Sequence, residues 1–262
     1  MATADVVDYR ILGDDMQFVE IELDPNETIV AEAGAMMYMT DGIEMSTRMG
    51  AGKSEGVMGK VLAAGKRALT GESLFVTVFT HHGQGKGRVA FAAPYPGKIV
   101  PMDLADLGTM MCQKDSYLCS ANGIDVGIAL RKKIGVGLFG GEGFILQRLA
   151  GAGMAFCHAG GTIHTLELGA GETVRVDTGC IVAFQERVQY DIQFVGSVKT
   201  ALFGGEGLFY ATLRGPGRVY LQSLPFSRLA DRIYAAAPQT GNKQVGEGSL
   251  LGGIGKLVGG DH

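Results

Sequence analysis

The hexapeptide LFGGEG stands at Leu138–Gly143 and again, letter for letter, at Leu202–Gly207. A shortened relative, LTGES, occupies Leu69–Ser73. Each copy runs directly into an apolar segment, Leu74–Phe79, Phe144–Leu149 and Leu208–Leu213. Gly71, Gly141 and Gly205, and the acids Glu72, Glu142 and Glu206, therefore hold equivalent places. A motif recurring at a fixed spacing is the mark of a repeated architecture, and each repeat is one supersecondary unit that buries its core against its neighbours.

Working outward from the motif, three segments align without a gap: Gln17–Met45, Lys98–Val126 and Thr162–Tyr190. Thr28 matches Thr109 and Thr173, so the offsets are 81 and 64 residues. Within them apolar and polar residues alternate, as in Thr173–Asp177 (TVRVD), and Gly, Asp or Asn closes each run. Alternation at period two predicts half-buried strands joined by tight turns. GxG turns at Gly85–Gly87, Gly151–Gly153 and Gly215–Gly217 predict a hairpin in the second half of each unit. The fold class expected is all-β, with units at residues 1–97, 98–161 and 162–237 and a Gly-rich flexible tail at 238–262. The first unit carries an insertion, Gly50–Leu69. Val57, Val61, Ala64 and Ala68 recur there at helical spacing, which predicts a short amphipathic helix near 54–69.

Composition narrows the function. The 262 residues include 42 glycines, far above the usual share, which favours turns and short strands over long helices. A net charge of −4 gives no general attraction to nucleic acid, and Trp is absent, so no nucleic-acid partner is expected. The four cysteines lack CxxC spacing and read as free thiols of a reducing compartment. Cys112 aligns with Ala31 and Val176, and Cys157 with Ala92, which are places for buried structural thiols. The acidic N-terminus lacks the features of a leader peptide, and the expected location is cytoplasmic, peripheral to the inner face of the membrane.

Candidate chemistry is sparse. Thr47–Ser54, TRMGAGKS, ends like a phosphate-binding loop, but Thr47 stands where the first glycine is required and no βαβ pattern surrounds it. Gly52, Lys53 and Ser54 remain as candidates for an anionic ligand. Basic residues precede each motif (Lys66 and Arg67, Lys132 and Lys133, Lys199) and would gather into a positive rim in a closed ring, facing phosphate or anionic lipid. Glu72, Glu142 and Glu206 read as turn acceptors that duplication has copied, a structural role. His158 and His164 flank Gly160-Gly161 and are placed to face each other across a hairpin. No spacing calls for a metal, a cofactor or a catalytic nucleophile, so the expectation is a protein that is not an enzyme.

Taken together, ETIVAEAGAMMYM (27–39), KRALTGESLF (66–75), the two LFGGEG copies and GPGRVYLQ (Gly215–Gln222) resemble one family. It is the bacterial relatives of the mitochondrial-biogenesis proteins named for altered inheritance of mitochondria, and the resemblance covers roughly residues 7–235. It implies a fold like that of the trp RNA-binding attenuation protein (TRAP-like): three small double-stranded β-helix or sandwich-like units in tandem. It also implies homotrimers whose nine units close a ring. The function expected is a non-enzymatic scaffold or binding ring associated with membrane organisation. The alternative is a binder of a small anionic or nucleotide ligand at Gly50–Ser54 or between units.

Overall fold

The computed structural model describes residues 6–50, 74–132, 144–194 and 209–237. The helix expected near 54–69 and the tail at 238–262 lie outside the described residues. Strands carry most of what is described, and the chain is predominantly β. The first stretch supplies β1 (Asp8–Leu12), β2 (Phe18–Leu23), β3 (Thr28–Glu32), β4 (Met36–Met39), β5 (Ile43–Gly50), β6 (Leu74–His81) and β7 (Gly87–Ala92). The second supplies β8 (Gly97–Asp103), β9 (Met110–Gln113), β10 (Tyr117–Ala121), β11 (Asp125–Lys132), β12 (Phe144–Ala150) and β13 (Met154–Gly160). The third supplies β14 (Ile163–Leu168), β15 (Thr173–Asp177), β16 (Ile181–Gln185), β17 (Gln189–Phe194), β18 (Phe209–Arg214) and β19 (Gly217–Gln222). The helices among the described residues are the single turn α1 (Leu104–Leu107), capped by the Asp103 carboxylate on Ala105 N, and α2 (Phe226–Ala236). Met1–Ser227 form one compact unit and Arg228–His262 a second.

The strands form four sheets, ordered β1-β2-β7-β4, β5-β6-β3-β10-β13-β8, β11-β12-β9-β16-β19-β14 and β15-β18-β17. Each six-stranded sheet is two three-stranded halves from successive stretches, joined edge to edge. The first joint pairs β3 with β10 (Ala31 opposite Cys119, Val30 opposite Ser120, Ile29 opposite Ala121). The second pairs β9 with β16 (Cys112 opposite Ala183, Met111 opposite Phe184, Met110 opposite Gln185). Both joints are antiparallel and keep the same register once the offsets of 81 and 64 are applied. The same register shift also interrupts β4 against β7 (Met36/Tyr38), β10 against β13 (Tyr117/Cys119) and β16 against β19 (Ile181/Ala183).

Burial follows this topology. The sheets pack face to face, so inward positions such as Val19, Ile21 and Leu23 of β2 are closed to solvent. Phe79 meets Phe91 edge-on at 5.3 Å between the first two sheets, and Tyr9 meets Phe156 at 4.8 Å. A second cluster joins Phe144, Leu146, Phe184 and Val219 to Ile192, Ala211 and Leu213. Each such side chain stabilises the fold by about 1.5–3 kcal/mol relative to exposure. β10 and β16 lie inside joints, with neighbours on both edges and cover on both faces, and every residue of each is buried. β4 is their counterpart in sequence, yet it ends its sheet and all four residues are exposed. β15 likewise ends the last sheet, with Thr173 and Arg175 exposed.

Two glycines are demanded by close approach. At Gly160 a Cβ would stand 2.0 Å from Leu224 O, where Leu224 N donates back to Gly160 O at 3.1 Å. At Gly97 a Cβ would stand 2.2 Å from Ala159 O and 2.5 Å from His158 Nε2. Both lie beside the first joint, and they let the chain close over the end of β13.

Candidate functional site

At the first joint the end of β3 faces the start of β10, and the local sequence builds a hollow between them. Glu32 ends β3, and Ala35 N donates to Glu32 O at 3.2 Å to close the turn that follows. Gly34 takes φ 87° in that turn, a conformation a side chain would strain. Across the joint, a 3-10 turn (Lys114–Ser116) leads into Tyr117 and carries Asp115. β13 brings His158, and the β7–β8 link brings Pro94 and Tyr95.

These pieces surround a cavity of about 260 Å³ whose lining also includes Leu118 and Phe226. Ala33, Gly34, Pro94, Asp115 and Phe226 are exposed and form its rim, whereas Ala35, Tyr95, Tyr117, Leu118 and His158 are buried and form its base. The base is aromatic: the Tyr95 ring stands edge-on to His158 at 4.5 Å and tilted against Phe226 at 5.2 Å. The Tyr117 hydroxyl is engaged with Ser120 Oγ at 2.9 Å and Val30 O at 3.3 Å.

Electrostatics distinguish this hollow. Burial first, and the Asp115 charge second, push the Glu32 carboxyl up to about 7, with Lys114 opposing. Among the described residues nothing hydrogen-bonds that carboxyl. His158 is 2% exposed, its Nδ1 has no hydrogen-bond partner, and burial lowers its pKa to about 4, so the imidazole is neutral. Burial also raises the Tyr95 and Tyr117 hydroxyls. Below them Cys112 and Cys157 lie with sulfurs 3.2 Å apart, and burial raises Cys112. The described cysteines are free thiols.

The residues singled out in the sequence fall elsewhere. Gly52, Lys53, Ser54, Lys66, Arg67, Lys133 and Lys199 lie outside the described residues, as do Gly71, Gly141, Gly205, Glu72, Glu142 and Glu206. Lys132 is the last residue of β11, paired with Phe144 of β12. His158 and His164 do not meet across a hairpin. His158 pairs with Ile99 in one six-stranded sheet and His164 with Leu221 in the other, because the Gly160-Gly161 link crosses between sheets. The alignment of Cys157 with Ala92 is also corrected by one residue. Ala92 lies opposite Phe18, and His158 lies opposite Ile99, the residue 81 further on, so His158 takes Ala92's place. That slip hid His158. With the register set, its counterparts are Ala92 and Gln222, and an imidazole there stands out. Glu32 was visible only as a polar strand end matched by Gln113 and Asp177. No group of three or more potential metal ligands occurs among the described residues.

Comparison with known proteins gives consistent results. A family model described as mitochondrial biogenesis AIM24 matches residues 9–224. An uncharacterized protein of Streptococcus pyogenes serotype M6 is 30% identical over 230 residues, spanning 87% of this chain and 90% of its own. A crystal structure of a Streptococcus pyogenes protein superposes with a TM-score of 0.70 at 25% identity, covering 88% of this chain and 100% of that one.

Proposed function

The chain belongs to the mitochondrial biogenesis AIM24 family, and on that premise we propose that it is a non-enzymatic scaffold. In this reading it comprises three tandem TRAP-like β units, and its copies join head to tail into a closed ring of three chains. The observation that carries the proposal is the pair of unfilled sheet edges. The two joints inside the chain bury β9, β10 and β16 completely and most of β3. The chain then ends with one half-joint of each kind, β15 at one end and β4 at the other. Unpaired strand edges are templates for pairing, and a heterologous contact that closes on itself makes a ring.

The internal joints also fix the expected register. With their pairing carried through the two offsets, Tyr38 of one copy would lie opposite Val176 of the next, Met39 opposite Arg175 and Thr40 opposite Val174. Met36, Met37, Tyr38 and Met39 are 36–56% exposed, an apolar strip of the kind that marks an interface. Tyr38 is held ready, because its hydroxyl donates to the buried carboxylate of Glu20, which Arg10 also pairs. Tyr38 and Arg10 hold that carboxyl below the usual range.

A variant with cysteines at both Met39 and Arg175 tests the register. Mild oxidation of that protein should give intermolecular disulfides on a non-reducing gel, while each single variant gives none. A double variant that stays at one-chain mass sinks the head-to-tail joint. The basic residues Lys66, Arg67, Lys132, Lys133 and Lys199 are the membrane contact of this proposal. Flotation with anionic liposomes at low salt checks this, and protein left at the bottom of the gradient removes the membrane contact from the proposal. No helix among the described residues is long and apolar enough to cross a membrane.

A further inference from the structure

The cavity at the first joint belongs to a single chain and does not depend on the ring. We propose that it is a binding site for a small organic cation, a primary or methylated ammonium on a short carbon body. Glu32 would meet the charge, and the rings of Tyr95, Tyr117 and Phe226 would enclose the body.

Three observations converge on that chemistry. First, the lining places the carboxylates of Glu32 and Asp115 beside three aromatic rings. Carboxylate plus aromatic face is how proteins hold ammonium groups, because the ring quadrupole attracts a cation that has been taken out of water. An anion would meet the Glu32 carboxylate here. Second, His158 is closed to solvent yet leaves Nδ1 without a partner. A buried polar atom without a hydrogen bond is costly, and the residue that carries it lines the hollow. The neutral imidazole adds no positive charge to repel that ligand.

Third, the same place at the second joint is built from neutral side chains. There Gln222 stands where His158 stands at the first. Its amide accepts from Gly160 N at 2.8 Å and donates to Gly179 O at 2.8 Å. Gln113 stands where Glu32 stands, and Pro225 packs on Gly179, the counterpart of Asp115. At the second joint the hydrogen-bonded group is thus the neutral Gln222 amide, while Gln113 Oε1 is itself buried without a partner. The first joint carries a carboxylate and an imidazole at the same two places, and both line the cavity.

The groups facing Glu32 set the pH dependence. They are Asp115 and Lys114 on the turn, His158 on β13, Tyr95 on the β7–β8 link, and Tyr117 and Cys112 beneath. Since burial holds the Glu32 carboxyl near neutrality, a bound ammonium should favour its ionised form and release a proton on binding. Affinity should therefore rise between pH 5.5 and pH 8.

The experiment is a titration of the intact protein with n-butylammonium, followed by calorimetry and by amide chemical shifts, with n-butyrate as a control of matched size. Saturable binding of n-butylammonium is expected. It should be tighter at pH 8 than at pH 5.5 and weakened about tenfold or more by Glu32→Gln, an isosteric change that leaves the fold intact. Shifts should localise to Tyr95, Leu118 and His158, and n-butyrate should leave them unmoved. Binding of n-butyrate as tight as that of the amine would overturn the proposal. So would amine binding that Glu32→Gln leaves unchanged, or no saturable amine binding up to about 10 mM.

Discussion

Met39→Lys probes the head-to-tail joint where its energetics can be worked out. Met39 is 38% exposed on the open edge of β4, whereas its counterparts inside the chain, Ser120 and Phe184, are 0% and 1% exposed. Docking of the next copy should remove what remains. Full burial of a methionine side chain is worth about 1.5–3 kcal/mol, so the exposed two-fifths are worth roughly 1 kcal/mol. The expected neighbour across the joint is Arg175, whose guanidinium lies 5.7 Å from the Tyr210 ring and so is already positioned on the β15 edge. Like charges directly opposite on antiparallel strands cost up to about 1 kcal/mol. Lysine at 39 should thus cost roughly 1–2 kcal/mol per joint, about 5- to 30-fold in the pairwise constant. The penalty enters three times in a closed ring of three. Met39→Glu loses the same burial but faces Arg175 with opposite charge, and should fall within about 0.5 kcal/mol of the parent. Sedimentation velocity over a concentration series reads both. Met39→Lys should dissociate at markedly higher concentration than Met39→Glu, and adding Arg175→Glu to Met39→Lys should restore assembly. Equal behaviour of the lysine and glutamate variants would refute the register, and so would an undisturbed lysine variant.

Further outcomes follow from the first joint. The Glu32 carboxyl is raised to about 7 from an unfolded value of about 4.3, so it favours the fold below about pH 4.3 and loses that contribution as pH rises through 7. His158 is lowered to about 4 from about 6.5, so its contribution is present above pH 6.5 and fades as pH falls toward 4. The two slopes oppose each other. Glu32→Gln should therefore leave a melting temperature that falls on acidification between pH 6.5 and 4, with the variant more stable than the parent at pH 8 by at most about 4 kcal/mol. Matching pH profiles for variant and parent would contradict this. Gly160→Ala forces a Cβ to 2.0 Å from Leu224 O and should cost about 1–3 kcal/mol or more, read as a lowered urea midpoint at unchanged slope. Cys112 and Cys157 are fully buried, so alkylation of the native protein should spare both, and denaturation should expose them.

The strands were legible because their signal is local. Alternation in Thr173–Asp177 and the GxG turns are properties of a few neighbouring residues, and both stand where the sequence places them. The cavity was not legible, because it depends on pairing between distant strands. Glu32 and Asp115 come together only when β3 joins β10, and nothing in ETIVAEAG says that its final acid will be half-buried beside another carboxylate. His158 needed a register accurate to one residue, and hairpins of slightly different length blurred it. The GxG spacing could not show that the chain crosses between sheets at Gly160-Gly161, so His158 and His164 seemed to be neighbours. The edges were half legible. The sequence of β4 looks as apolar as those of β10 and β16, and only the sheet order reveals that it lacks a neighbour.

Multi-angle light scattering on the native 262-residue chain, at micromolar concentration and moderate salt, tests the ring most directly. Three times the 27.5 kDa chain mass is expected, held across a dilution series. A single-chain mass under the same conditions would contradict head-to-tail closure.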